Sequence, residues 1–194
     1  MRGKGLDYFE NSRRATLANQ AYCVKNPGHF KGYSEKIWGL TACDGPADWL
    51  AKNDPKRRCL EDWRNFRGYS ARGVASDYLE DDGTLAPTAA GGSVPFAPEI
   101  CLPALEAMWT MYYDSLVGPY GFKDAFNPSF TACGQAPDGW FDTDYLGIDQ
   151  GPIVAMIENY RSDLVWRTMR RNPYIVRGLR RAGFTGGWLA QAVP

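Results

Sequence analysis

The sequence predicts an all-α fold of helices joined by long, shaped loops, the pattern of a helical toroid. Three observations carry that expectation. Apolar residues recur at spacings of three and four in separate segments of the chain. Glycine and proline, 21 and 13 of the 194 residues, punctuate the stretches between those segments. No credible series of alternating strands is present. Long loops recurring between successive helices are what a toroid with a cleft at one end requires.

Asn11-Ser12 fits a cap for a first helix running to about Lys25. Ala15, Ala18 and Tyr22 share one of its faces, and Asn26-Pro27-Gly28 stops it. Residues 29–46 are loop-rich. Residues 47–67 are highly charged and fit one or two short surface helices, with Asp54-Pro55 as a start. Residues 68–96 have little periodicity, and a loop of that length in a compact domain is usually functional or mobile. The acidic run Glu80-Asp81-Asp82 within it reads as a solvated turn.

A clear helix follows from Pro98 to about Val117. Leu102, Leu105, Trp109, Tyr112 and Leu116 mark its stripe; Pro98 suits the first turn, and Pro103 is expected to delay or kink the start. A second elaborate loop covers 119–150. Gly151-Pro152 then opens the most regular helix, with Ile153, Met156, Ile157, Tyr160 and Leu164 as its buried face. Asn172-Pro173 breaks it, and a short helix covers about 174–182.

Composition excludes several classes. Lysine plus arginine equals aspartate plus glutamate, 22 each, which argues against nucleic acid as a partner. No stretch approaches the roughly 20 apolar residues of a membrane span. The single histidine, His29, and five scattered cysteines without a CxxC pair argue against zinc and thioredoxin-type sites. Buried thiols are the expected state of the cysteines, and no metal or cofactor is expected. The N-terminus lacks the apolar region of a signal peptide. Aromatics at 14%, with 7 Trp and 11 Tyr, suit a sugar site, because a pyranose packs its apolar face on a flat ring.

A glycosidase needs two carboxyl groups across the scissile bond, one protonated and one ionised. Glu35 stands among Phe30, Tyr33 and Trp38. An apolar wall there would raise its pKa and suit it to be a general acid; it also reads as a surface carboxylate beside a core Trp. Asp44, before Gly45-Pro46, is either a turn residue or a partner for sugar hydroxyls. Asp149 precedes the most regular helix. It reads equally as a structural cap or as an ionised general base stabilised by the helix dipole. Glu99 falls in a helical first turn, and Asn11, Arg13 and Arg14 share a helix start.

These residues sit in longer stretches: YFENSRRATLANQAYC (8–23), FKGYSEKIWGLTACDGP (30–46), DDGTLAPTAAGGSVPFAPE (81–99), YGFKDAFNP (120–128), WFDTDYLGIDQGPIVAMIENYRSDLVW (140–166) and NPYIVRGLRRAGF (172–184). In that order they resemble the bacterial glycoamylase-like family, which includes endo-β-1,2-glucanases and a region of cyclic β-1,2-glucan synthases. The resemblance implies an (α/α)6 toroid, of which residues 1–194 supply the C-terminal portion, with an insertion at 47–67. It implies inverting hydrolysis of a β-glucan, β-1,2-linked by preference, with Glu35 as acid and Asp149 as base. Asp44, Trp38, Tyr33, Phe30, Arg14, Glu99, Tyr120 and Tyr145 would then line the substrate. The implied partners are a glucan chain and the rest of the same domain, in a periplasmic or secreted setting. A non-catalytic carbohydrate-binding or assembly module is the alternative.

Overall fold

The computed structural model describes residues 2–3, 5–53, 66–131 and 137–192. Helices dominate, and strands of two or three residues clip loops together: β1 (Arg2–Gly3) and β2 (Leu6–Asp7) form a three-stranded sheet with Phe184–Thr185, β5 (Gly73–Ala75) pairs with β6 (Tyr78–Glu80), and β7 (Val117–Gly118) with the strand at Gly121–Phe122, besides the pairs described below. Helix α1, Tyr8–Lys25, starts earlier than expected because Asp7 caps it, not Asn11-Ser12. The Asp7 Oδ1 accepts the backbone N–H groups of Phe9 (3.1 Å) and Glu10 (3.3 Å). Asn26 ends the helix in the left-handed region, at φ 43°.

The inward face of α1 is not the one its alanines mark. Thr16 and Cys23 are buried, whereas Ala15 and Ala18 are exposed. The reason is a polar clamp. The Asn19 side chain donates to the Leu40 carbonyl (2.7 Å) and accepts the Leu40 N–H (3.0 Å). A loop packed on a helix must have its backbone groups satisfied, and Asn19 does this from the helix side.

After α2, Ala47–Asn53, and the short α3, Pro87–Gly91, comes α4, Pro98–Leu116. Its buried residues are Cys101, Ala104, Met108 and Leu116, with Leu105 and Tyr112 packed partly buried against the same core. Several of the large ones turn outward: Leu102, Trp109, Met111 and Tyr113 are all exposed. Pro103 lies inside the helix, and the departure from helical geometry falls instead at Tyr112 (φ −126°, ψ 22°).

Helix α5, Gly147–Ser162, also begins earlier than the sequence suggested, at Gly147 rather than Gly151-Pro152. Ile153 and Asn159 are buried on it, while Val154 and Tyr160 are exposed. Asp163, at φ 57°, separates it from α6, Leu164–Arg170, so the expected single long helix is two. Helix α7, Pro173–Arg181, follows. Among the described residues no helix is long and apolar enough to cross a membrane.

Two apolar clusters form the core. One joins Trp38, Leu85, Met108, Leu116 and Phe126; the other joins Cys43, Phe66, Phe130 and Trp140. Cys23, Cys43 and Cys101 are buried free thiols, as expected, and burial pushes each up to about 12. Cys59, Cys133 and the proposed Asp54-Pro55 start lie outside the described residues.

Three loops meet at one buried ion pair. Strand β3, Ala42–Cys43, pairs with β4, Ser70–Ala71, and this brings Arg72 beneath the loop that carries Asp44. The Arg72 guanidinium grips Asp82 with two bonds, Nε to Oδ1 (2.7 Å) and Nη2 to Oδ2 (2.9 Å). It also donates to the carbonyls of Cys43 (2.8 Å) and Gly68 (3.1 Å). Asp82 is therefore no solvated turn residue. It is 3% exposed and also accepts the N–H groups of Arg67 (2.9 Å) and Thr84 (3.1 Å). Burial alone would raise the Asp82 pKa, but Arg72 more than offsets it and holds the carboxyl below the usual range.

Removing one partner of such a pair leaves an unsatisfied charge in the interior. Arg72→Met is expected to destabilise the protein by about 3–5 kcal/mol in urea unfolding, and Arg72→Met/Asp82→Leu to regain part of that loss. A single variant as stable as the parent would show that the pair does not hold the loops.

Candidate active site

Four aspartates from four separate segments converge near one end of the fold. Asp44 follows β3. Asp124 lies between β8, Gly121–Phe122, and β9, Phe126–Asn127. Asp142 follows β10, Trp140–Phe141, which pairs antiparallel with β9. Asp149 stands in the first turn of α5. Backbone bonds lock the convergence: the Asp124 N–H donates to the Asp144 carbonyl (3.0 Å) and the Asp142 N–H to the Ala125 carbonyl (2.9 Å). The Asp44 N–H donates to Asp124 Oδ2 (2.8 Å). Gly45 has no room for a side chain, because a Cβ there would meet the Arg72 guanidinium and the Arg67 carbonyl.

The cluster is desolvated. Asp124 is 1% exposed, Asp149 5% and Asp142 8%. One oxygen on each, Asp124 Oδ1, Asp149 Oδ2 and Asp142 Oδ2, is buried with no hydrogen-bond donor in reach. The Asp124 and Asp149 carboxyls are also close enough for each to shift the titration of the other. Both facts are met when one proton lies between them, since two bare carboxylates cannot bond to each other.

Burial is the largest cause of each perturbation. It pushes Asp124 up to about 7; the Asp44 N–H opposes this and the negative charges of Asp149 and Asp44 add to it. Burial likewise raises Asp149, with Asp124 donating against that shift and Asp44 and Asp142 adding to it. Asp142 rises to about 6, through burial and the charges of Asp124 and Asp144, although two N–H groups oppose the shift. Asp44, half-buried, is raised by burial and by Asp48 and Asp144. The two therefore titrate as a pair that keeps one proton to higher pH than a lone carboxyl would.

Asp44 and Asp142 open onto a cavity of about 710 Å³ lined also by Trp49, Lys52, Lys123, Trp140, Phe141 and Asp144. Oxygens of Asp44, Asp124 and Asp142 lie within 4.8 Å of one another, close enough to serve a hard divalent cation, a donor set invisible along the chain.

The structure joins some of the sequence candidates and separates others. Asp44 and Asp149 meet in the cluster. Tyr120 and Tyr145 pair edge to face at 5.5 Å, next to Asp144. Glu35 is not brought to this site. It is exposed, its backbone carbonyl accepts from Gln20 (2.8 Å), and it does not line the cavity. The apolar wall expected around it faces inward: Phe30, Tyr33 and Trp38 are core residues, and the Tyr33 hydroxyl donates to Asp81 (2.7 Å). Sequence spacing could not reveal this, because a ring beside a carboxylate in sequence points wherever the core lies. Arg14 is exposed and pairs with Glu10, and Glu99 with Arg13 at 2.5 Å, which ties α1 to the start of α4. Asp149 is no cap, since α5 already begins at Gly147. Its pKa lies above the ordinary carboxylate value, where the dipole argument had placed it below.

Asp124 and Asp142 escaped sequence reading. YGFKDAFNP and GWFDTDY carry short aromatic-aspartate patterns, but only the pairing of β9 with β10 brings their carboxyls together.

Carboxyls clustered beside aromatic walls are the residue types that binding and cleaving a sugar calls on. The chain belongs to the glycoamylase family, described as "Putative glucoamylase", whose pattern matches residues 2–173. It is 32% identical over 178 residues to an exo β-1,2-glucooligosaccharide sophorohydrolase of Parabacteroides distasonis, covering 92% of this chain and 20% of that protein. An endo-β-1,2-glucanase from Chitinophaga pinensis, solved with sophorotriose and glucose, superposes with a TM-score of 0.76 at 33% identity, over 95% of this chain and 37% of that one. A Bacteroides uniformis protein bearing the family's description matches at 42% identity and a TM-score of 0.75, over 96% of this chain and 38% of that one. The chain thus spans well under half the length of these relatives.

The Asp124 proton sets a sign for stability. Its folded pKa, about 7, exceeds the unfolded value of about 3.9, so the folded state binds the proton more tightly. The contribution is fully present below pH about 4 and is lost as pH rises towards 7. Asp124→Asn keeps a donor for Asp149 without the acid. It is expected to be more stable than the parent at pH 8, by about 1–2 kcal/mol, and nearly equal to it at pH 4. Urea unfolding at both values checks this. A difference that does not change with pH would refute the shared proton.

Proposed function

We propose that this chain forms part of the catalytic domain of a glycoside hydrolase acting on β-1,2-glucan, with Asp149 as the general base. The observation that carries the reading is the desolvated carboxyl cluster, in which Asp44 and Asp142 line an aromatic-walled cavity and Asp149 stands behind them beside Asp124. The names of the relatives support the substrate class, since the sophorohydrolase and the endo-glucanase are both named for β-1,2-linked substrates.

A base must be an anion at working pH and must be basic enough to take a proton from water. Asp149 meets both needs. Accepting the Asp124 proton and standing in the first turn of α5 keep it negative. Burial and the charges of Asp44 and Asp142 raise its basicity. Water deprotonated there attacks the anomeric carbon, and the leaving oxygen takes a proton from an acid on the other face, which inverts the centre.

That acid should stand about 6.5–9.5 Å from the base, with room for a water. Asp124, in hydrogen-bond contact with Asp149, is too close. Glu35 lies outside the cavity. We place the acid in the part of the domain that the relatives carry beyond the matched segment. Exposed Trp109, Met111 and Tyr113 on α4 and Val154 and Tyr160 on α5 are the surfaces that part covers, closing an (α/α)6 toroid. Residues 47–67 are an insertion on this arc. The modest share of the relatives' length covered here favours a second reading, a carbohydrate-binding module without hydrolysis of its own.

Joined to the remaining helices of its domain, the chain is expected to release sugar from β-1,2-glucan with the α-anomer appearing first by proton NMR. Asp149→Asn is expected to lower kcat about 10²–10⁴-fold. The β-anomer appearing first, or an unimpaired variant, would sink the assignment; calorimetric binding with no hydrolysis would select the binding module.

A further inference from the structure

Helix α2 lies within the stretch that the sequence set apart as an insertion, yet it builds a wall of the active-site cavity. Asp48, Trp49, Lys52 and Asn53 all line that cavity together with Asp44 and Asp142 of the carboxyl cluster. The helix is anchored from below: the Ala47 N–H donates to the Arg67 carbonyl (3.0 Å), the same segment whose Gly68 carbonyl Arg72 holds. Its indole is fixed in orientation. Trp49 meets Phe130 edge to face, with ring centres 5.7 Å apart at 80°, and Phe130 in turn meets Phe66 at 5.0 Å and 89°. Trp49 is only half-buried, in contrast to Trp38 at 1% exposed, so part of its ring is left for a ligand.

A cavity of about 710 Å³ falls within the range of about 300–1,000 Å³ that holds drug-sized ligands, so it takes more than one sugar ring. A preoriented indole with a lysine and an asparagine one turn along the same helix is a stacking face with hydroxyl partners beside it. We propose that α2 forms a distal glucosyl-binding subsite, in which Trp49 stacks on a sugar ring and Lys52 and the Asn53 Oδ1 bind its hydroxyls, the Asn53 amide being oriented by its bond to the Trp49 carbonyl (2.8 Å). This rests on the glucan reading of the cavity and adds to it that the inserted helix sets preference for chain length.

Calorimetry with sophorose and with a β-1,2-linked glucopentaose, on the chain joined to the remaining helices of its domain and carrying Asp149→Asn so that neither sugar is cleaved, tests this. Trp49→Ala and Lys52→Ala are each expected to cut the ratio of pentasaccharide to disaccharide affinity by about threefold to tenfold. Lys52 is exposed on its helix, so its variant keeps the test alive should Trp49→Ala disturb packing on Phe130. A ratio within twofold of the parent's in both variants overturns the subsite. If that happens while Asp44→Ala weakens binding of both sugars, the glucan reading stands and only the subsite falls. If the parent binds neither sugar, both fall together.

Discussion

The loops that carry the site hang on the Arg72–Asp82 ion pair. A buried pair stabilises little on balance, because desolvating two charges consumes most of their attraction. Its value here is geometric. The planar fork of arginine can hold a carboxylate with one edge while its remaining N–H groups reach carbonyls in two other segments. Arg72 does this to Cys43 and Gly68, and Asp82 passes the constraint on: its own carbonyl accepts from the Asn127 amide (3.0 Å), which also donates to the Thr84 hydroxyl (2.9 Å). Asn127 and Asp124 belong to one short stretch around β9. Asp44 and Asp124 are thereby fixed relative to each other by a network that contains neither of their carboxyls.

That rigidity explains how the carboxyl cluster survives. Several acids desolvated together repel, and a soft scaffold would let them turn to water. The backbone N–H aimed at Asp124 comes from Asp44, just past β3, and those aimed at Asp142 come from Thr143 and Asp144, just past β10, so two separate strand pairings hold the acids in place. One proton then does what rotation cannot, moving the pair to a single negative charge. Strain of this kind at a site, offset elsewhere in the fold, is the usual sign that the arrangement serves chemistry rather than stability.

The helices were legible in the sequence because their periodicity and their proline and asparagine punctuation are local. Their boundaries were less so. Asp7 outcompeted Asn11-Ser12 as a cap, and α5 accommodated Pro152 in its interior. The inward face differs from the expected one on α1, and on α4 only in part, where Leu116 is buried and Leu105 and Tyr112 pack on the core but Leu102 and Trp109 turn out. Apolar size marks a buried face only when every apolar face has the same partner. On α4 the close contact uses Cys101 and Ala104, while Trp109 and Met111 point away. At the site, Asp44 and Asp149 were legible because each sits at an evident turn or helix start. Asp124 and Asp142 were not, since their meeting depends on a two-residue hairpin too short to show alternation. Glu35 failed for the converse reason: its aromatic neighbours in sequence are core residues whose packing turns the carboxylate out.

The outward apolar residues and the one-sided cluster are two views of the same feature. A cavity whose carboxyls all lie close together can activate a water or orient a hydroxyl. It cannot also protonate a leaving group on the far side of the sugar, because a dyad sharing one proton acts as one group. Helix α4 carries apolar residues on both of its faces: Cys101, Ala104, Met108 and Leu116 are buried, and Trp109, Met111 and Tyr113 are exposed. A helix of that kind is built for contact on both sides, and a proton donor for the far side of the sugar must come from outside the cluster.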